Sequence, residues 1–312
     1  MTEFPGVLDS IGNTPLVQLQ KVVPRDSAKV FAKLEFSNPT GSMKDRVAKA
    51  MIGAAEADGR LRPGGTVVEY TAGTTGISLA LVCAAKGYRL KIVFSDAFSD
   101  EKRLTMQAFG AQITDVKSGD KKITERLIKE MVETARRLSQ LPDHWYCNQL
   151  SNHDGTAGYF PLGEEVWRQT WGKVDAFVHS VGTAHSIHGV TLALQKHKPD
   201  LRVIAVEPAE SAVLSGGPTG SHNIEGIGIG YVPPLWNPKL VNETIPVTTQ
   251  EAQAMARRLA REEALFVGTS SGANVVAALK VAERLGPDAS VVTIMVDSGL
   301  RYLSTGLFGH TD

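Results

Sequence analysis

Two cysteines, Cys83 and Cys147, are all that this 312-residue sequence contains. Cys83 falls inside an apolar helical stretch and Cys147 inside an expected strand, so both read as buried thiols of a reducing compartment rather than a disulfide or a metal site. An excess of one charge is also missing, because 33 Lys and Arg face 33 Asp and Glu. No net field therefore draws nucleic acid or an anionic membrane, and basic pairs such as Lys121-Lys122 and Arg136-Arg137 read as solvated helix faces. Long hydrophobic runs are absent. The strongest, residues 77–85, is too short to span a bilayer. The first ten residues lack the basic-then-apolar pattern of a secretory signal, and the expected location is the cytoplasm. There is no solenoid repeat and no low-complexity segment. Neither a dinucleotide fingerprint nor a Walker loop stands in its proper context. Gly226-Ile227-Gly228-Ile229-Gly230 has suggestive spacing, but Pro233-Pro234 follows and no helix can begin there.

The sequence does have 42% hydrophobic and 21% charged residues, the composition of a soluble globular protein with ample core. Its length predicts two domains. Apolar patterning predicts strands over 28–36, 66–70, 89–94, 112–116, 145–148, 174–181, 202–207 and 291–296. Helices are predicted over 44–58, 77–86, 99–109, 123–138, 164–171, 186–196, 249–263 and 271–285. Ser99 reads as an N-cap, with Asp100 and Glu101 in the first turn behind it. The Gly/Pro-rich stretch 215–238 fits no regular element. So regular an alternation means an α/β architecture with mostly parallel, buried sheets.

In such sheets ligands bind beyond the carboxyl ends of strands. Three loops lie there: Thr71-Ala72-Gly73-Thr74-Thr75-Gly76, Gly182-Thr183-Ala184-His185-Ser186, and Gly268-Thr269-Ser270-Ser271-Gly272. Each brings hydroxyls and free helix-start N–H groups to one place, which suits a phosphate or a carboxylate. A fourth segment, Asn38-Pro39-Thr40-Gly41-Ser42-Met43-Lys44-Asp45-Arg46, delivers Lys44 to the first turn of a helix. The helix dipole disfavours a cation at that point, and a lysine of lowered pKa is what Schiff-base chemistry needs. Three anion-friendly loops and one such lysine point to a cofactor with a phosphate and an aldehyde, pyridoxal 5′-phosphate.

These segments resemble the cysteine synthase (O-acetylserine sulfhydrylase) and cystathionine β-synthase group of fold-type II pyridoxal phosphate enzymes. The resemblance starts at Ile11-Gly12-Asn13-Thr14-Pro15-Leu16 and runs through 38–46, Gln149 and the 224–232 loop. It continues through Ser270-Ser271-Gly272 to Asp297-Ser298-Gly299 and Arg301-Tyr302-Leu303-Ser304-Thr305. It implies two three-layer α/β domains with the cofactor in the cleft between them. Residues 44–150 would form the smaller domain, and 1–43 with 151–312 the larger, cofactor-binding one. Lys44 would be the Schiff-base lysine, Gly182, Thr183, Ala184, His185 and Ser186 would hold the phosphate, and Ser270 would face the pyridine nitrogen. Thr71, Ala72, Gly73 and Thr75, with Gln149 and Gly226, would bind the substrate, and Thr74 would contact the cofactor. A small amino-acid substrate and a homodimer are implied as well.

The expected reaction is β-replacement on an O-activated L-serine through α-aminoacrylate, by default O-acetyl-L-serine and sulfide giving L-cysteine and acetate. A different leaving group or nucleophile, a β-eliminating lyase, and a non-catalytic cofactor-binding relative remain as alternatives. Two loops depart from the group's pattern. Its carboxylate loop reads Thr-Ser-Gly-Asn-Thr-Gly, whereas Ala72 and Thr74 stand here for Ser and Asn. Its phosphate loop reads Gly-Thr-Gly-Gly-Thr, whereas Ala184, His185 and Ser186 stand here after Thr183. A non-glycine residue with positive φ is then expected in this loop, where His is among the better tolerated. His185 and His188 lie at metal-ligand spacing without an evident third ligand, so no metal is expected. His144, His153, His179 and His222 read as structural or loop residues.

Overall fold

The structure, a computed structural model, describes residues 5–119 and 123–309. The Lys121-Lys122 pair and residues 1–4 of the amino terminus lie outside the described residues.

In chain order the elements are β1 (Leu16–Gln18), β2 (Lys29–Leu34), α1 (Lys44–Ala57), β3 (Thr66–Tyr70), α2 (Thr74–Lys86), β4 (Arg89–Ser95) and α3 (Asp100–Ala108). Next come β5 (Gln112–Val116), α4 (Glu125–Leu138), β6 (His144–Tyr146), α5 (Asp154–Ala157), α6 (Phe160–Gln169) and β7 (Ala176–Ser180). The chain continues through α7 (His185–Gln195), β8 (Arg202–Pro208), β9 (Glu243–Val247), α8 (Thr249–Glu262), α9 (Thr269–Leu285) and β10 (Ser290–Met295). One sheet has six strands in the order β1-β2-β10-β7-β8-β9, and a second has four in the order β5-β4-β3-β6. All pairings are parallel except β1 with β2. The central strands β3, β7 and β10 are buried at every position, which is why they do not alternate between apolar and polar residues.

Strand order locates the site before any side chain is considered. From β3 the chain steps outward through β4 and β5, then returns to the other side of β3 as β6. From β7 it steps outward through β8 and β9, then returns to the other side of β7 as β10. Each sheet therefore has one reversal point, and a crevice opens at the strand carboxyl ends there. The loops at the first reversal hold residues 71–76 and Gln149, and those at the second hold residues 182–186 and Asp297.

Several element ends differ from the sequence expectation. Helix α2 begins at Thr74, three residues before the expected 77, because the 71–76 loop turns straight into it. Helix α6 begins at Phe160 with proline in its first turn, where the missing N–H costs nothing. Ser99 does sit at the N-cap of α3, but its hydroxyl donates to Arg301 O at 3.0 Å and makes no cap bond. Cys147 lies just past β6, not inside it; both cysteines are free and buried. Strand β9 carries Pro246, which hides it from propensity reasoning and suits its place at the sheet edge.

Candidate active site

The lysine-bearing turn is held by a buried ionic cluster. Arg46 reaches both Glu35 oxygens at 2.8 and 2.9 Å and both Glu165 oxygens at 2.9 and 2.8 Å. Lys33 adds an ion pair to Glu165 at 2.7 Å. The 11–15 segment is fastened to the same group: Thr14 Oγ1 donates to Glu35 at 2.6 Å, Asn13 N to Glu165 at 3.0 Å, and Gly12 N to Asn38 Oδ1 at 2.8 Å. Next to Lys44, buried Asp45 accepts from Thr40 N and Oγ1 and from Ser78 Oγ, as a carboxylate at a helix start should. Lys44 is half-buried, its open surface facing a cavity. Desolvation by the enclosing protein lowers its pKa to about 8, against an opposing pull from Asp297.

The 71–76 loop supplies one wall of that cavity. Thr71 Oγ1 accepts the Gly73 and Gly76 N–H groups at 2.9 and 3.3 Å, which leaves its own proton free for an incoming acceptor. The amides of Thr74 and Thr75, at the start of α2, have no intrahelical acceptor. Thr75 Oγ1 donates to Gln149 Oε1 at 2.8 Å, and Gln149 Nε2 donates to Tyr70 O at 2.9 Å. Glu69 anchors this arrangement from behind, accepting from Tyr70 N and Gln149 N. Burial raises its pKa to about 8. Side chain and backbone together thus form a small set of directed donors suited to a carboxylate.

The 182–186 loop forms the opposite wall. A Cβ on Gly182 would stand 2.5 Å from Gly226 O, so only glycine lets the two loops meet. The residue with positive φ is Ala184, at +72°, one position before His185, which starts α7. Imidazoles lock this loop. His185 Nε2 lies 2.7 Å from Asn152 O and its Nδ1 2.9 Å from Thr183 Oγ1, while His179 Nε2 lies 2.8 Å from Ser186 Oγ. Burial lowers the His179 pKa to about 3 and that of His185 to about 4, so both rings are neutral at pH 7. His188 instead lies 3.3 Å from Asn237 N and stacks on Trp236. Among the described residues no group of three or more side chains is placed to hold a metal ion.

Of the residues singled out from sequence, Lys44, Thr71, Ala72, Thr74, Thr75, Gln149, Gly182, Thr183 and Gly226 line the one cavity of about 80 Å³. Gly73, Ala184, His185, Ser186 and Ser270 do not line it. Ser270 is buried in the first turn of α9. Two basic lining residues, His222 and Lys102, were not placed at the site from sequence. His222, read as a loop residue, lines the cavity and clamps its loop through Gly228 O at 2.8 Å and Ile224 N at 3.2 Å. Lys102 lines it with its stem under Gly73 and its ammonium paired to Glu225. It is a lysine in a first helical turn, the same signal that drew attention to Lys44.

An amine of lowered proton affinity at a cavity wall, making no side-chain hydrogen bond among the described residues, suits a carbonyl. The glycine-only approach of two loops beside it leaves backbone room for an anion. Pyridoxal phosphate, an aldehyde with a phosphate, fits both. The family described as "Pyridoxal-phosphate dependent enzyme" matches residues 7–297, and the chain belongs to it. It is 39% identical to the cysteine synthase of Staphylococcus aureus over 304 residues, 97% of this chain and 96% of that one. The crystal structure of cysteine synthase from Entamoeba histolytica superposes with a TM-score of 0.92 at 36% identity, covering 99% of this chain and 92% of the other. The O-acetylserine-dependent cystathionine β-synthase of Helicobacter pylori gives 0.91 at 33% identity, covering 99% and 100%. The fold is that of a fold-type II pyridoxal phosphate enzyme, the protein is cysteine synthase-like, and its general chemistry is β-replacement.

Proposed function

We propose that the enzyme replaces the β-substituent of an O-activated L-serine, by default converting O-acetyl-L-serine and sulfide into L-cysteine and acetate. The observation that carries this reading is the convergence of Lys44, the 71–76 donors and Gln149 on a single cavity. When bound, pyridoxal phosphate supplies the electron sink that lets an α-proton and then a β-substituent leave. Thr71 Oγ1 and the Thr74 and Thr75 amides hold the substrate carboxylate, and Gln149 fixes Thr75. Lys44, once free, takes the α-proton as general base. Gly182, Thr183 and the amides at the start of α7 would hold the phosphate, with His185 and Ser186 bracing the loop. Ser270 would supply a hydroxyl toward the cofactor ring, a weaker partner for a ring proton than a carboxylate, which would suit loss of the β-substituent. The same reading makes residues 44–150 the smaller domain and 1–43 with 151–312 the larger, in a cytoplasmic homodimer.

Ala72 and Thr74 favour a second reading, in which the leaving group or nucleophile differs from the default, because both line the cavity. Incubating the holoenzyme with a panel of O-activated serines and sulfide, then separating amino-acid products, distinguishes the two. Cysteine formed fastest from O-acetylserine supports the default. Another donor preferred tenfold or more supports the second, and pyruvate without amino-acid product refutes both in favour of a lyase.

A further inference from the structure

Behind the 182–186 loop a buried chain of side chains runs from Asn274 on α9, through His179 on β7, to Ser186 in the first turn of α7. Backbone groups at its far end fix its direction. Beyond the last paired residues of β7 and β10, Val178 and Thr293, the Asn274 amide bonds to both strands. Its Oδ1 accepts from Ser180 N at 2.8 Å and its Nδ2 donates to Ile294 O at 2.8 Å, so the amide can stand only one way round. The same Nδ2 lies 3.3 Å from His179 Nδ1. A ring nitrogen that faces an N–H offers its lone pair, which puts the proton of the neutral imidazole on Nε2. Nε2 lies 2.8 Å from Ser186 Oγ and therefore donates to it. The Ser186 hydroxyl keeps its own proton, and no group among the described residues accepts it.

Thr183, the other hydroxyl of the loop, has the opposite polarity. His185 Nε2 donates to the Asn152 carbonyl at 2.7 Å, which leaves Nδ1 to accept the Thr183 proton at 2.9 Å. One hydroxyl proton of the loop is thus spent inside the protein. The other stands at a helix start, where free N–H groups already favour an anion.

Resting on the reading of this loop as the phosphate cradle, we propose that His179 is a positioning residue: its Nε2–H, directed by Asn274, holds Ser186 Oγ as an acceptor and so turns the Ser186 proton toward the cofactor phosphate. Ser186 is then the hydroxyl donor of the cradle, and Thr183 serves it through the backbone.

The test strips the full-length chain of cofactor and titrates it with pyridoxal phosphate and, separately, with pyridoxal, which lacks the phosphate. Ser186→Ala should weaken pyridoxal phosphate about tenfold or more and pyridoxal much less. Thr183→Val should weaken pyridoxal phosphate less than Ser186→Ala does. His179→Gln, whose amide N–H can reach the same oxygen, should stay within about threefold of the wild type, and His179→Leu should fall to the level of Ser186→Ala. Nitrogen NMR of the wild-type imidazoles, assigned residue by residue, should show the Nε2–H tautomer at His179. An Nδ1–H or charged ring there overturns the proposal, as does equal loss of both ligands in Ser186→Ala or the greater loss in Thr183→Val. If Gly182→Ala weakens pyridoxal phosphate and Ser186→Ala does not, the cradle stands and the role given to His179 falls. If neither weakens it, the reading of the loop as the cradle falls as well. Should the His179 variants fail to fold, the tautomer and Ser186→Ala decide.

Discussion

Arg46→Met tests whether the buried ionic cluster is what holds the catalytic turn. The substitution keeps an unbranched stem of similar length and removes four charge-assisted bonds, two to Glu35 and two to Glu165. Glu35 is fully buried and, among the described residues, would keep only Thr14 Oγ1 and Asn38 Nδ2 as side-chain donors. Breaking one side of a buried ion pair costs about 3–5 kcal/mol. Unfolding entropy of about 2.1 cal/mol/K per residue, over 312 residues, makes this a fall in Tm of roughly 5–8 °C. Thermal unfolding followed by circular dichroism reads it directly. The pH dependence gives an independent check. Glu165 is held at about 2, below its ordinary 4.5, by Arg46 and Lys33 against the cost of burial. Its folded pKa is depressed, so the unfolded chain binds more protons between these values and stability rises with pH there. The wild type should lose about 2 kcal/mol from this group, after allowance for solvent screening, as pH falls from about 4.5 to about 2. Arg46→Met should lose most of that dependence. A Tm drop below about 2 °C, or an unchanged acid limb, would refute the reasoning.

Borohydride reduction of the holoenzyme should attach cofactor to the Lys44 peptide, and Lys44→Ala should abolish turnover while keeping the fold. Label on Lys33 or Lys49 would contradict the assignment. Ala72→Ser with Thr74→Asn separates the two donor readings. Restoring one charge-assisted hydrogen bond of about 1.5–3 kcal/mol would raise kcat/KM for O-acetylserine roughly tenfold to hundredfold, whereas a site reshaped for another donor gains little and loses its own reaction. Gly182→Ala drives a Cβ to 2.5 Å from Gly226 O, so it should weaken cofactor affinity at least tenfold in an absorbance titration, with Tm changed much less.

Much of this was legible in the sequence because it depends on local physics. The buried strands announce themselves as largely apolar stretches, the loops end in helix starts, and Lys44 follows an Asn/Pro/Gly/Ser-rich turn. Beside Lys44, the resemblance placed Gln149, 105 positions away in the chain, since family motifs carry long-range information that periodicity lacks. What the sequence could not determine is which groups face one another. Nothing local marks Glu35, Arg46 and Glu165 as one cluster, because Glu165 lies 119 positions from Arg46 in the chain. Nothing local singles out Lys102 for the cavity wall; its stem packs under Gly73 and its ammonium pairs with Glu225. Likewise His179 reads from sequence as a structural residue, and its place between Asn274 and Ser186 exists because α9 and α7 both meet β7 there. Chain-local propensity sets elements and loops; strand order and desolvation, which arise only when the sheets assemble, decide which buried charges meet and how far each pKa moves.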